Sequence, residues 1–304
     1  DWWQDSVSRC GKCPHCAAEV ERHRDVLQVA GMSMAQRKLL RQRYGVRTVD
    51  DLANLEGRSL PSPVRSARDQ AALQSGRAVP DKTVTFTDAS GTRKSVSYVV
   101  TDSAPLTRIP AANPGDIFFD FEGDPLWQDP GDSSWGIEYL FGLVESPEDS
   151  SEDPRFVPFW AHSRDEEKQA LLDFLEYVRQ RRQRFPGMKI YHYANYEKRA
   201  LRDLAAKHGV GEEAVDDLLR EEVLVDLYDT VRSSLRISED SYSIKKLEPL
   251  YMGDRLRAGD VTTAAASVVA YADYCLARDS GDQKRAVAVL DSIGDYNRYD
   301  CVST

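Results

Sequence analysis

The chain has 304 residues, 41% of them hydrophobic and 30% charged, with a net charge of −10. This fits a soluble globular protein with one large domain and a smaller one, and no run of about 18 apolar residues offers a membrane span. The acidic balance argues against broad non-specific nucleic-acid binding, but it leaves a nuclease open, because metal-binding acids add to the negative total while basic residues stay local.

No signal peptide is visible, and the start at Asp1 without a Met reads as a piece of a longer protein. Cys10, Cys13 and Cys16 crowd together, whereas Cys275 and Cys301 lie in helix-like segments. That is not a secreted disulfide framework, and it points to a reducing, cytoplasmic compartment.

Residues 1–24 form a Cys-rich segment. Three thiols at i, i+3 and i+6 let a tight loop wrap a soft metal. His15 or His23 would complete a zinc site; a fourth cysteine upstream would instead make an iron–sulfur site. Residues 25–57 read as a small helical module with stops at Gly31 and Gly45. Such a helix-turn-helix arrangement is similar to a helix-hairpin-helix module, whose turn offers backbone N–H groups to a phosphate. Arg37, Lys38, Arg41, Arg43 and Arg47 make it basic, so Arg37, Lys38 and Arg41 are candidate nucleic-acid contacts. A helical linker with a solvated face is the alternative. Residues 58–112 read as a connector with a β-hairpin around Ala89-Ser90-Gly91, and a Pro/Gly/Asn boundary places the main domain at 113–304.

The stretch DIFFDFEGDP (116–125) is an aromatic-rich strand with turn residues at 123–125. Asp120 and Glu122 share one face, at period two, and Phe119 and Phe121 the other. Two like charges on a buried face need a neutraliser, and Mg²⁺ or Mn²⁺ suits carboxylate oxygens. A solvated edge strand is the alternative. Strands follow at 137–145 and 155–161. A helix then opens on Ser163-Arg164-Asp165-Glu166, a capping box. Strand 188–194 and helix 196–208, stopped by Gly209, come next. This order predicts an α/β domain, a mixed sheet flanked by helices. Glu197 enters the last of these helices near its positive end. A further helix from about Gln283 places Tyr296 and Asp300 on one face, and Asp295 and Tyr299 one step round.

Taken together, Asp120-Phe121-Glu122, the segment HYANYE with Glu197, and YNRYD with Tyr296 and Asp300 resemble the DEDD-type 3′–5′ exonucleases of the ribonuclease H-like fold, in their tyrosine-bearing branch. The resemblance covers 113–304. Glu197 stands where that family usually has Asp, and Asp226 is the alternative fourth acid. With the Cys-rich start, the chain also looks like the central part of a predicted RecB-like nuclease family. There the cysteines close an upstream nuclease domain around an iron–sulfur site, and some members continue into a helicase.

The resemblance implies two Mg²⁺ or Mn²⁺ ions held by Asp120, Glu122, Glu197 and Asp300, with Tyr296 orienting the attacking water. It implies phosphodiester hydrolysis of nucleic acid from the 3′ end; DNA is the expected substrate ahead of RNA, a choice the motifs themselves do not make. Lys245 and Lys246 are candidate phosphate contacts, the basic run at 179–184 suits either a substrate or a helix C-terminus, and Trp127 and Trp135 could stack on a base. His192, at a strand end, could line the site. The competing expectation is a catalytically weak or inactive binding or scaffold module of a larger nuclease–helicase protein. A third is an interaction domain organised by zinc or a cluster, with the C-terminal acids incidental.

Overall fold

The computed structural model describes residues 2–4, 7, 13–57, 59–88, 90–128, 131, 134–146, 154–253, 255–257 and 261–304. In chain order the helices and strands are α1 (Pro14–Arg22), α2 (Met34–Tyr44), α3 (Val49–Ala53), α4 (Ser62–Gln74), β1 (Lys82–Thr87), β2 (Arg93–Val100), β3 (Ile117–Gln128), β4 (Trp135–Glu145), β5 (Phe156–Trp160), α5 (Arg164–Arg184), β6 (Ile190–His192), α6 (Tyr196–His208), α7 (Glu212–Arg220), β7 (Leu224–Asp226), α8 (Leu227–Ser234), β8 (Leu235–Ile237), α9 (Ile244–Leu247), α10 (Ala264–Asp279) and α11 (Gln283–Ser303). No helix among the described residues is long and apolar enough to cross a membrane.

Residues 1–107 with 231–256 form one compact unit, and 108–230 with 257–304 a second. By this division residues 231–256, inside the segment 113–304, group with the first unit. β8 joins β2 antiparallel and extends the β1–β2 hairpin into a three-stranded sheet.

In the first unit, α2 opens on a reciprocal capping box, Ser33 with Gln36, and stops at Gly45, whose φ of 67° an L-residue with a Cβ resists. A second box, Thr48 with Asp51, starts α3. Val26, Leu40, Val49, Leu52 and Ala71 close over a core between these helices and α4.

The second unit holds a mixed sheet in the order β5-β4-β3-β6-β7. β5, β4 and β3 are antiparallel, and β6 and β7 run parallel to β3. Ile117, Phe119 and Phe121 alternate along β3 and meet Phe141, Phe174 and Leu201 in the main core. Phe119 stacks on Phe174 at 4.5 Å, and Phe121 meets Phe141 edge-on at 4.6 Å. Each buried ring contributes roughly 1.5–3 kcal/mol, which fixes the register of β3 and turns its acids to the opposite face. There, Tyr139, Leu140, Tyr271 and Ile293 pack α10 and α11 on the sheet.

Two strand boundaries differ from expectation. β3 does not end at Gly123-Asp124-Pro125 but continues to Gln128, because a bulge after Glu122 absorbs the irregularity: Glu122 pairs with Leu140 and Gly123 with Glu138, leaving Tyr139 as the extra residue. Conversely β6 is short, since the chain turns sharply at Ala194, φ 76°.

Candidate metal centre

β3 delivers the first two acids by its period of two. Oxygens of Asp120 and Glu122, with one from Asp300 of α11, all lie within 4.8 Å of one another. The Asp120 carboxyl is held well above the usual carboxylate range, by burial first and then by the charges of Asp300, Glu122 and Glu197.

Glu197 arrives by a different route. The turn between β6 and α6 passes through the left-handed conformation of Ala194, which a side chain disfavours. Asp226, at the end of β7, stabilises the segment: its Oδ1 accepts from the backbone N–H of Ala194 and of Tyr228, both at 2.9 Å. Asp226 thus acts on the backbone that presents Glu197. Glu197 itself is 3% exposed and stands beside Asp120, whose carboxyl it helps to raise; the tight cluster of ligand oxygens is that of Asp120, Glu122 and Asp300. His192 Nδ1 lies 2.7 Å from the Ala194 carbonyl and 3.1 Å from Glu197 Oε2. Both neighbours are acceptors, so Nδ1 carries the hydrogen. His192 is buried, and its Nε2 has no partner among the described residues.

α11 supplies the rest. Tyr296 and Asp300 share a face, as expected from their spacing, and Tyr296 is buried with its phenol pushed up by burial, then by Asp300 and Glu122. It stays protonated at neutral pH and can donate. Several features were not legible in advance. Asn297, fully buried, donates from Nδ2 to Asp120 Oδ2 at 3.1 Å. Gly142 of β4 makes room for it: a Cβ there would overlap Asn297 Oδ1 and lie 2.7 Å from its Cγ. Cys301 Sγ donates to the Gly142 carbonyl at 3.3 Å, so α11 is tied to β4 and β3 together. Arg257 also pairs with Asp300.

The remaining candidates are placed elsewhere. Arg37, expected on a nucleic-acid face, is 2% exposed and pairs at 2.7 Å with Asp25, which is fully buried. A charge run does not reveal which member is enclosed. Arg41 donates to the Trp3 carbonyl, while Lys38 is exposed. Lys246 pairs with Glu239 at 2.8 Å, and Lys245 is half-buried. In the basic run, Arg179 pairs with Glu176, Arg182 with Glu221 and Arg181 with Glu145. Trp127 packs on the α10–α11 cluster under the Arg164 guanidinium, so it covers the sheet, whereas Trp135 is 62% exposed. Cys10 lies outside the described residues. Cys13 caps α1, accepting from the Cys16 N–H at 3.3 Å.

The donor set fits a hard divalent cation. Its atoms are carboxylate oxygens, closely spaced, and after burial it is the neighbouring acids, whose charge a cation would neutralise, that raise the Asp120 carboxyl. A family model described as the RNase H superfamily matches residues 117–304. No curated protein and no solved structure matches the chain.

Proposed function

Because this chain belongs to the RNase H superfamily, whose model spans residues 117–304, we propose that it is a metal-dependent nuclease that hydrolyses phosphodiester bonds from the 3′ end of nucleic acid, DNA in preference to RNA. The observation that carries this is the meeting of Asp120, Glu122 and Asp300, with Glu197 in contact with Asp120.

In this reading Asp120, Glu122, Glu197 and Asp300 would hold two Mg²⁺ or Mn²⁺ ions. Such ions, when bound, supply an acidified water and neutralise charge on the phosphate. The protein's own side chains do the positioning. Tyr296 donates its hydroxyl hydrogen toward the attacking water. Asn297 fixes the rotamer of Asp120, and the His192 Nδ1–H does the same for Glu197. Trp135 offers an exposed ring for a base, and Lys38, Lys245 and Lys246 are the candidate phosphate contacts.

The contact between Glu197 and Asp120 supports catalysis over a binding or scaffold module. We extend the proposal to the Cys-rich segment: Cys10, Cys13 and Cys16 hold a zinc ion or an iron–sulfur cluster, in a RecB-like protein with an upstream nuclease and a downstream helicase. The N–H of Cys16 directed at Cys13 Sγ suits a thiolate ligand.

The test is cleavage of 3′- and 5′-labelled single-stranded DNA and RNA with Mn²⁺, Mg²⁺ or EDTA, beside Asp120→Ala and Asp300→Ala. Metal-dependent shortening from the 3′ end, lost in both variants, is expected. No cleavage by the folded wild-type protein with either metal would turn the reading toward a binding module.

A further inference from the structure

The chemistry above makes no use of Arg257, yet its guanidinium lies against the Asp300 carboxylate. Both side chains are 12% exposed, so this is an enclosed pair rather than a solvated one. The guanidinium carbon also stands 5.4 Å from the centre of the Tyr296 ring and 4.7 Å from that of Tyr299. Two aromatic faces and one carboxylate therefore hold a positive charge beside the acid cluster. The charge is permanent, because arginine does not lose its proton in proteins.

A fixed cation at this point has two consequences. It offsets the repulsion among four crowded acids. It also opposes any divalent ion that uses Asp300, through like-charge repulsion and by engaging one of the ligand oxygens. A phosphodiester changes this balance, since it offers the guanidinium an alternative anion of matching fork geometry.

We propose that Arg257 is a positioning residue that couples metal binding to substrate binding. Paired with Asp300 it weakens divalent-ion affinity, and a nucleic-acid phosphate restores that affinity by drawing the guanidinium away. This rests on the metal-dependent nuclease reading. Linkage then requires reciprocity: metal tightens nucleic acid by the same factor as nucleic acid tightens metal.

The experiment is calorimetric titration of Mn²⁺ into the wild-type chain, Arg257→Gln and Arg257→Lys, with and without a phosphorothioate single-stranded DNA oligonucleotide. Circular dichroism checks the fold of each. Without DNA, Arg257→Gln should bind Mn²⁺ about tenfold more tightly, as removal of one nearby charge implies. Arg257→Lys, which keeps the charge, should stay near wild type. The oligonucleotide should tighten Mn²⁺ binding in the wild-type protein and much less in Arg257→Gln. Equal or weaker Mn²⁺ binding by Arg257→Gln overturns the proposal, as does an unchanged effect of DNA or a lysine variant that behaves like the glutamine one. Absence of Mn²⁺ binding in all three proteins would instead bring down the metal site itself.

Discussion

Gly142→Ala adds one methyl group to a strand, yet it should behave as an active-site mutation. The new Cβ would overlap Asn297 Oδ1 and stand 3.1 Å from Phe156 Cε2. Asn297 cannot swing aside cheaply, being fully buried and bonded to Asp120. Overpacking of this kind costs about 1–3 kcal/mol, and leaving the buried partners of the Asn297–Asp120 hydrogen bond unsatisfied about 1–3 kcal/mol. Since the two overlap in cause, the expected loss is about 2–4 kcal/mol. Urea unfolding followed by circular dichroism measures it, with Mn²⁺-dependent cleavage in parallel. Asn297→Ala removes the obstacle, so the double variant should cost little more than Asn297→Ala alone. A Gly142→Ala protein within about 0.5 kcal/mol of wild type would refute the packing argument, as would simple additivity in the double variant.

Three further outcomes follow from the geometry. Burial raises Glu138 to about 7, only partly offset by the Tyr196 hydroxyl that donates to it at 2.6 Å. Between its ordinary 4.5 and about 7 the folded state binds the extra proton, so this contribution is full below pH 4.5 and declines as pH rises to about 7. Glu138→Gln should remove up to about 3 kcal/mol of that slope, read from urea midpoints across this range; an unaltered slope counts against it. Asp226→Ala should cost about 2 kcal/mol through the two lost backbone bonds and slow cleavage while leaving Mn²⁺ stoichiometry intact; a lost metal equivalent would make Asp226 a ligand. Glu197→Gln should lower cleavage by about a hundredfold or more, with wild-type circular dichroism; near-normal rates would remove Glu197 from the chemistry.

What could be read in advance depended on how local the signal was. Asp120 and Glu122 were legible because a strand's period of two ties them to Phe119 and Phe121, which need the core. Tyr296 and Asp300 were legible because a helix repeats nearly every four residues. Asn297 lies between them in the same motif, but its role depends on Gly142, and that contact is set by how a helix docks on a strand. Arg257 lies outside any periodic pattern, so its pairing with Asp300 left no trace in the sequence. Arg37 was misplaced for a related reason: its partner Asp25 sits before α2, and nothing in a basic run marks the one charge that is enclosed. β3 looked shorter than it is, since Gly-Asp-Pro reads as a turn unless the bulge that accommodates it is known.

Asn297 and the strand acid it holds are 177 residues apart in the chain. During synthesis, β3 therefore leaves the ribosome long before α11 exists. A chain that stops before α11 carries Asp120, Glu122 and Glu197 but lacks Asp300 and Asn297, so the acid cluster is incomplete until α11 is made. The same holds for a chain cut by a protease ahead of α11 once the released helix dissociates. If the proposed nuclease reading holds, cleavage requires nearly all of the domain to be translated, and unfinished copies spare the nucleic acids around them.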